Sequence, residues 1–253
     1  MQLVPAQYYF IADVHLGAKL PGEESVKSAF LDFLSSIPQQ AKAIYLLGDI
    51  FDFWAEVQGK YPEDYTVFLQ EMKRLTDSGV RIVFLKGNHD YWTFGYLENE
   101  IGLDVIDTQP HIETIGGKKF AMAHGDGLGN RGIGYPIIKF FFRNKLNIKL
   151  LNLCPPKFIY NFGRDWSKYR KQRHHTKDSN RYKGLSERLA AFSEEFIKNS
   201  PVDIFVYGHI HQVVDTRLGC GARMMVLGDW YNNPTYISYS EGEEPVLNRI
   251  RTT

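Results

Sequence analysis

The chain has 253 residues, of which 43% are hydrophobic and 23% charged, and its formal net charge is +1. This length suits one domain with an ordinary core and room for an insertion, and the apolar fraction excludes a disordered chain. There is no apolar run near the roughly 18 residues of a membrane-spanning helix, no secretory signal at the start and no cysteine pattern for a disulfide framework, so we expect a cytoplasmic protein.

The N-terminal half alternates predicted strands with predicted helices. Short apolar runs at residues 8–12, 43–47 and 81–85 predict buried strands. Apolar residues at helical spacing predict helices over residues 23–37 and 65–75. This alternation predicts an α/β fold.

The C-terminal half begins with a break in the strand pattern and then returns to strands. Further strands are predicted at residues 119–123 and 203–207, and consecutive strands joined by turns fill the tail from residue 222 to residue 250. Residues 128–183 have no clear strand and interleave apolar residues with Lys and Arg. We therefore predict a single domain, residues 1–253, with a helical cap inserted at about residues 128–183.

The predicted cap contains a strongly basic block. Residues 139–183 have 13 Lys or Arg and two acids, which gives +11, so the rest of the chain carries −10. Such a block in a nearly neutral protein indicates an anionic partner, which can be a nucleic acid, a phosphorylated substrate or lipid headgroups. Nine aromatic residues and many Leu and Ile lie in or beside the block, which favours lipid over nucleic acid. An amphipathic cap that packs on the core and exposes its basic face is the plainer alternative.

Five predicted strands end in residues of metal-binding type. The five clusters are Asp13-Val14-His15, Gly48-Asp49, Gly87-Asn88-His89-Asp90, His124-Gly125-Asp126 and Gly208-His209-Ile210-His211. A single cluster of this kind is more often a turn or a helix cap. Five of them in order could meet in one crevice, because ligands gather outside the carboxyl ends of parallel strands.

The residue types in these clusters limit which metal ions the site is expected to bind. Imidazole, carboxylate and amide groups without thiolate favour Mn²⁺, Fe²⁺ or Zn²⁺ over a structural zinc bound by cysteine. A carboxylate shared between two such ions, about 3.5–4 Å apart, is the arrangement that supports displacement at phosphorus.

The five motifs, in this order, resemble those of the calcineurin-like metallophosphoesterases. The resemblance implies a four-layer α-β-β-α sandwich that binds two metal ions, and a hydroxide bridging the two ions as the nucleophile. It also implies that His89 stabilises or protonates the leaving group. By position, the first ion would be held by Asp13, His15, Asp49 and His211, and the second by Asp49, Asn88, His124 and His209.

Further motifs resemble one subfamily, the UDP-2,3-diacylglucosamine hydrolases of lipid A biosynthesis. They are the Asp-x-His-Leu start at Asp13, the stretch from Gly48 to Trp54, a tyrosine at Tyr135, and the cap pattern Thr176-Lys177, Asn180 and Lys183. The resemblance implies release of UMP and 2,3-diacylglucosamine 1-phosphate, typically with Mn²⁺, by a peripheral enzyme at the cytoplasmic face of the bacterial inner membrane. Tyr135, Thr176, Asn180 and Lys183 would then contact the substrate.

Two positions depart from this subfamily. The best-known members have Arg where this chain has His89, and an acidic residue where this chain has Gly132. His89 restores the pattern of the wider superfamily, so a phosphodiesterase or phosphatase acting on a soluble nucleotide or another phosphoester is the alternative function. An exonuclease that uses the basic block and a metal-free binding scaffold are weaker alternatives, the last because all seven expected ligands are present.

Overall fold

Two β-sheets form the centre of the fold. The computed structural model describes residues 6–129, 144, 150, 153–163 and 179–250, with side chains described from residue 186 onward in the last range. One sheet has six strands, namely β1 (Tyr8–Ile11), β2 (Ala43–Leu46), β3 (Arg81–Leu85), β4 (Asp104–Ile106), β10 (Thr235–Tyr239) and β11 (Val246–Arg249). The other has five strands, namely β5 (His111–Ile115), β6 (Lys118–Ala123), β7 (Ile204–Tyr207), β8 (Val214–Arg217) and β9 (Arg223–Val226).

The strand order places parallel strands at the middle of each sheet. The first sheet has the order β11-β10-β1-β2-β3-β4, with β1 to β4 parallel, and the second has the order β5-β6-β7-β9-β8, with β6, β7 and β9 parallel. Ile11 pairs with Leu46 and Ala123 pairs with Tyr207, so the paired strands end at the same level. The loops that follow them therefore begin side by side.

Helices cover the outer face of each sheet. Helices α1 (Glu23–Ser35) and α2 (Thr66–Asp77) pack on the six-stranded sheet, and α3 (Ser179–Ile197) packs on the five-stranded sheet. Successive residues of β1 show the underlying pattern, because Tyr9 belongs to the core under α1 and α2 and Phe10 belongs to the core between the sheets. The predicted four-layer α-β-β-α architecture is confirmed.

The predicted elements match the structure wherever a long apolar run or helical face is present. A short 3₁₀ turn at Glu63–Tyr65 precedes α2, and a π-helical turn occupies Leu97–Ile101. The sequence analysis missed β4, β5 and β8, all of which are edge strands. Edge strands are half solvated and need no buried apolar run, as the sequence Val-Asp-Thr-Arg of β8 shows.

Two described stretches of the predicted cap are helical. Residues 156–163 form a helical segment, and residues 179–183 are the first residues of α3, which continues past the predicted cap boundary to Ile197. The extent of the cap and the single-domain division stay predictions. Among the described residues, none of the helices combines the length and the apolar character needed to cross a bilayer.

Candidate metal centre

The loops after five strands meet at one edge of the sandwich. Each of β1, β2, β3, β6 and β7 is followed by one of the five sequence clusters, with at most one residue between the strand and the cluster. Backbone hydrogen bonds connect neighbouring loops, because the Asp13 amide donates to Gly48 O at 3.1 Å and the Gly208 amide donates to His124 O at 3.1 Å. The parallel register of both sheets thus brings together residues that lie up to about 200 positions apart in the sequence.

Asp13, His15 and His211 form the first cluster. Their ligand atoms all lie within 4.8 Å of one another, with 3.2 Å between the Nε2 atoms of His15 and His211 and 3.5 Å from His211 Nε2 to Asp13 Oδ1. Asp13 is fully buried, and its Oδ1 accepts no hydrogen bond. A buried carboxylate oxygen beside two imidazole nitrogens is the environment that a divalent cation satisfies.

Asp49, His124 and His209 form the second cluster. His124 Nε2 lies 3.3 Å from Asp49 Oδ2 and 3.2 Å from His209 Nδ1. The same Asp49 oxygen is 3.9 Å from His15 Nε2 of the first cluster. Asp49 therefore lies between the clusters, which is the position of a carboxylate shared by two ions.

The backbone on both sides of Asn88 is anchored beside the second cluster. The amide of the next residue, His89, donates to Asp49 Oδ1 at 2.9 Å, and the amide of the preceding residue, Gly87, donates to Asp90 Oδ1 at 2.8 Å. Asp90 also accepts from the Ile50 amide at 2.7 Å, so this buried carboxylate joins the loops after β2 and β3. Asn88 is half-buried between these two anchored residues.

The charges in the centre support each other. Burial favours the neutral form of Asp49, but the charges of His124, His89 and His15 outweigh burial and hold its pKa well below its usual value. Burial likewise opposes the charge on His124, yet Asp49 and Asp13 raise the pKa of His124 to about 10. The centre is thus built for positive charge beside the carboxylates, whether that charge comes from protons or from a metal ion.

Five of the seven predicted ligands have left-handed backbone. Asp13, His15, Asp49, His209 and His211 have φ between 52° and 70°, and the described residues include only two other non-glycine residues with positive φ. This conformation costs an L-residue about 1–2 kcal/mol. Its concentration at one site marks a functional constraint on the loops.

Two glycines allow the loops to approach closely. A Cβ at Gly87 would lie 2.2 Å from Asp49 Oδ1, and a Cβ at Gly208 would lie 2.6 Å from Asp13 Oδ2. Each glycine precedes a predicted ligand, Asn88 or His209, so any side chain there would displace a carboxylate of the centre.

His89 borders the first cluster together with Asp52. The ring of His89 donates from Nδ1 to the Asp52 carbonyl at 2.7 Å, which turns Nε2 towards the centre, 4.0 Å from Asp49 Oδ2. The buried Asp52 carboxylate lies 3.3 Å from His15 Nδ1. The sequence analysis assigned no role to Asp52, although its position three residues after Asp49 was a usable signal.

The predicted substrate contacts are only partly described. Tyr135 and Thr176 lie outside the described residues. Asn180 and Lys183 lie three positions apart near the start of α3, and the structure describes their backbone alone. The predicted roles of all four residues stay predictions.

A helical segment of the predicted cap packs close to the metal-ligand loops. Ile159 of the segment 156–163 packs with Ala55 and Val57, and a Cβ at Gly163 would lie 2.4 Å from the Phe53 ring. Phe53, Ala55 and Val57 follow Asp49 in the same loop. The loop that begins with Asp49 therefore ends against this helical segment.

Three comparisons place this chain among known proteins. A family model described as calcineurin-like phosphoesterase matches residues 7–213, which include all five motifs. A curated relative from Porphyromonas gingivalis, named UDP-2,3-diacylglucosamine hydrolase, is 34% identical over 91% of this chain and 93% of its own length. A relative of the same name from Ectopseudomonas mendocina is 30% identical over 87% of this chain and 88% of its own length. A crystal structure of zinc-bound Vps29 from Entamoeba histolytica aligns over 97% of this chain and 99% of that chain, with a TM-score of 0.41 and 14% identity.

Proposed function

The chain belongs to the calcineurin-like phosphoesterase family, and we propose that it hydrolyses the pyrophosphate of UDP-2,3-diacylglucosamine. The products would be UMP and 2,3-diacylglucosamine 1-phosphate, in a step of lipid A biosynthesis. The proposed substrate is supported by one observation, namely 34% identity over 91% of the chain to a relative named UDP-2,3-diacylglucosamine hydrolase. The two clusters of metal-binding side chains supply a centre suited to attack at phosphorus.

The proposed cofactors are two divalent cations, with Mn²⁺ as the ion to test first. The proposed ligands of the first ion are Asp13, His15, Asp49 and His211, and those of the second are Asp49, Asn88, His124 and His209. Imidazole nitrogens together with carboxylate and amide oxygens suit Mn²⁺, and the orphaned Oδ1 of Asp13 supports a cation at the first cluster. Two bound ions would activate water and offset the negative charge of the phosphates.

The catalytic residues that we propose are Asp49 and His89. Asp49 would hold both ions at a fixed separation, because its carboxylate lies between the clusters. His89 presents Nε2 to the same space while the Asp52 carbonyl fixes its Nδ1. A protonated His89 can therefore stabilise charge on the phosphate or give a proton to the departing oxygen.

The cap would recognise the lipid-linked nucleotide. We place the phosphate and uridine contacts on Tyr135, Thr176, Asn180 and Lys183. A hydroxyl, an amide and an ammonium group supply the donors that phosphate and nucleobase oxygens need.

The cap would also contact the membrane surface at the cytoplasmic face. Phe158 and Phe162 are four residues apart on the helical segment 156–163 and are 63% and 55% exposed, and the nearby Leu153 is 78% exposed. Such exposed apolar side chains within the basic block match an interfacial element that inserts between lipid headgroups. The protein would then take its two-chain substrate from the leaflet without a spanning helix.

The first experiment is a comparison of three substrates. UMP release from UDP-2,3-diacylglucosamine in detergent with added Mn²⁺ would be measured beside hydrolysis of UDP-N-acetylglucosamine and of a bis-aryl phosphodiester. We expect rapid turnover of the diacylated substrate and little turnover of UDP-N-acetylglucosamine. Turnover of the soluble esters alone would overturn the lipid substrate and favour the alternative phosphodiesterase function, for which His89 is the supporting observation.

A further inference from the structure

A sixth loop lies against the first cluster and has none of the five motifs. It consists of residues 228–233 and follows β9. The Trp230 amide donates to Asp13 O at 3.1 Å, and the Tyr231 hydroxyl donates to His15 O at 3.4 Å. The loop thus contacts the backbone of two proposed ligands of the first ion.

Asp229 brings a carboxylate from this loop to a third proposed ligand. Its Oδ2 lies 3.9 Å from His211 Nδ1, and the residue is only 3% exposed. The other oxygen, Oδ1, accepts three hydrogen bonds, from the Tyr231 amide at 3.0 Å and from the Asn232 amide and Nδ2 at 2.9 Å each. These three donors fix the carboxylate plane, so Oδ2 is the oxygen that faces His211.

The two nitrogens of His211 face different partners. Nε2 points into the first cluster, 3.2 Å from His15 Nε2, while Nδ1 points away from it towards Asp229. A histidine that binds metal through one nitrogen keeps its proton on the other, and a hydrogen-bond acceptor there fixes both the tautomer and the ring orientation. His124 has a tighter counterpart, since its Nδ1 donates to Leu47 O at 3.0 Å, whereas Asp229 Oδ2 faces His211 Nδ1 at 3.9 Å.

We propose that Asp229 is a positioning residue for the first metal ion. The negative charge of its Oδ2, 3.9 Å from His211 Nδ1, favours the tautomer with the proton on Nδ1 and so leaves Nε2 of that ring to face Asp13 and His15. Outer partners of this kind typically contribute about 10- to 100-fold to metal affinity. The inference rests on the two-metal centre proposed above, and it predicts a selective effect on one of the two ions.

Asp229→Asn tests this role with the smallest change of shape. The three donors on Oδ1 require an oxygen, so the new amide group must turn its NH₂ towards His211. Two donors would then face each other, which disfavours the tautomer that binds metal through Nε2. Mn²⁺ would be titrated calorimetrically into the metal-stripped protein, and Asp215→Asn, on an exposed carboxylate of β8 that pairs with Arg223, is the matched control.

The wild type and Asp215→Asn should bind two Mn²⁺ ions with the same affinities. In Asp229→Asn we expect one ion to bind about 10- to 100-fold more weakly and the other to keep its affinity, with an unchanged thermal midpoint of the metal-stripped protein. Wild-type affinity for both ions would overturn the proposal. Equal weakening of both ions with a lower midpoint would also overturn it, because the loop would then have a merely structural role. Fewer than two ions in the wild type would instead contradict the two-metal centre.

Discussion

Asp49 is the residue on which both clusters depend. Its Oδ2 is within 4 Å of one imidazole of each cluster, and its Oδ1 accepts the amide of His89. The same carboxylate thus reaches both proposed ions and orients the backbone of the proposed proton donor. A substitution that alters the Asp49 carboxylate should therefore affect metal binding and catalysis together.

We expect Asp49→Asn to lower hydrolysis of the diacylated substrate by more than the roughly 100-fold typical of an outer partner of a metal ligand. Asparagine tolerates the positive φ of this position, so the fold should remain intact. UMP release and near-ultraviolet circular dichroism would be measured on the same preparations. Asp32→Asn, an exposed carboxylate on α1, should have wild-type activity. Near-wild-type activity of Asp49→Asn would contradict the shared-carboxylate assignment.

For His89 we expect His89→Gln to lower kcat by about 10²- to 10⁴-fold, the usual contribution of a positioned acid or base. Mn²⁺ affinity should not change, because His89 is outside the proposed ligand set. The loss should be larger for a bis-phenyl phosphodiester, because phenolate, with a conjugate-acid pKa of about 10, is a more basic leaving group than a phosphate monoester, with a second pKa of about 6. His111→Gln, in the edge strand β5, is the control. Equal losses on both substrates would show that His89 stabilises charge without transferring a proton.

At the scale of elements, the loops between strand and helix hold the centre through close backbone contact. Gly87 and Gly79 show two different reasons why a position needs glycine. A side chain at Gly87 would collide with Asp49, whereas Gly79 has a φ of +93° and open space around its missing Cβ. Position 87 needs glycine because there is no volume for a side chain, and position 79 favours glycine because of its backbone conformation.

Gly87→Ala should therefore weaken Mn²⁺ binding at both clusters and reduce hydrolysis strongly, because the new methyl group displaces the Asp49 carboxylate that both proposed ions share. Gly79→Ala should cost about 1–2 kcal/mol of stability from its left-handed backbone and leave hydrolysis unchanged. Calorimetric Mn²⁺ titration and urea unfolding of both variants distinguish the effects. Wild-type Mn²⁺ binding by Gly87→Ala would mean that the loops can separate without loss of the site.

The start of α3 is the element that we connect with substrate selection. Asn180→Ala and Lys183→Ala should each lower kcat/KM for the diacylated nucleotide about 10-fold, as expected for loss of one charge-assisted or polar contact. Hydrolysis of a small aryl phosphate should be almost unaffected. Lys198→Ala, an exposed lysine just beyond the end of α3, is the control. Equal losses on both substrates would remove α3 from recognition.

The sequence predicted these elements well where burial decides the residue type. Strands such as β2 and β7 are buried along their whole length and appear as apolar runs followed by ligand clusters. The role of Asp229 had no such signal, because its loop follows β9 without a motif and its contact with His211 spans 18 residues. Contacts made by a single carboxylate across the fold depend on tertiary packing, which local patterns do not encode.

At the scale of the whole molecule, the centre joins the two sheets. Asp13, His15 and Asp49 follow strands of the six-stranded sheet, and His124, His209 and His211 follow strands of the five-stranded sheet. Each cluster contains members from both sheets. A bound ion would therefore connect the two halves of the sandwich as a reversible cross-link.

Removal of metal should consequently lower the thermal stability. With Mn²⁺ at 100 times its Kd, binding to the folded state alone contributes about 2.7 kcal/mol, which corresponds to roughly 5–10 °C in Tm for a chain of this size. Scanning calorimetry with EDTA and with excess Mn²⁺ would measure the shift. Asp49→Asn should show a much smaller shift. Equal midpoints for the wild type in both conditions would contradict a metal ion that spans the sheets.

The left-handed backbone of five proposed ligands has a consequence for the evolution of this scaffold. Asparagine or glycine at these positions would relax the chain, so the metal-free fold would gain stability from the same substitutions that destroy the centre. Selection for robustness and selection for turnover therefore oppose each other at His15, His209 and His211. A descendant released from catalysis would lose these histidines early and keep the sandwich.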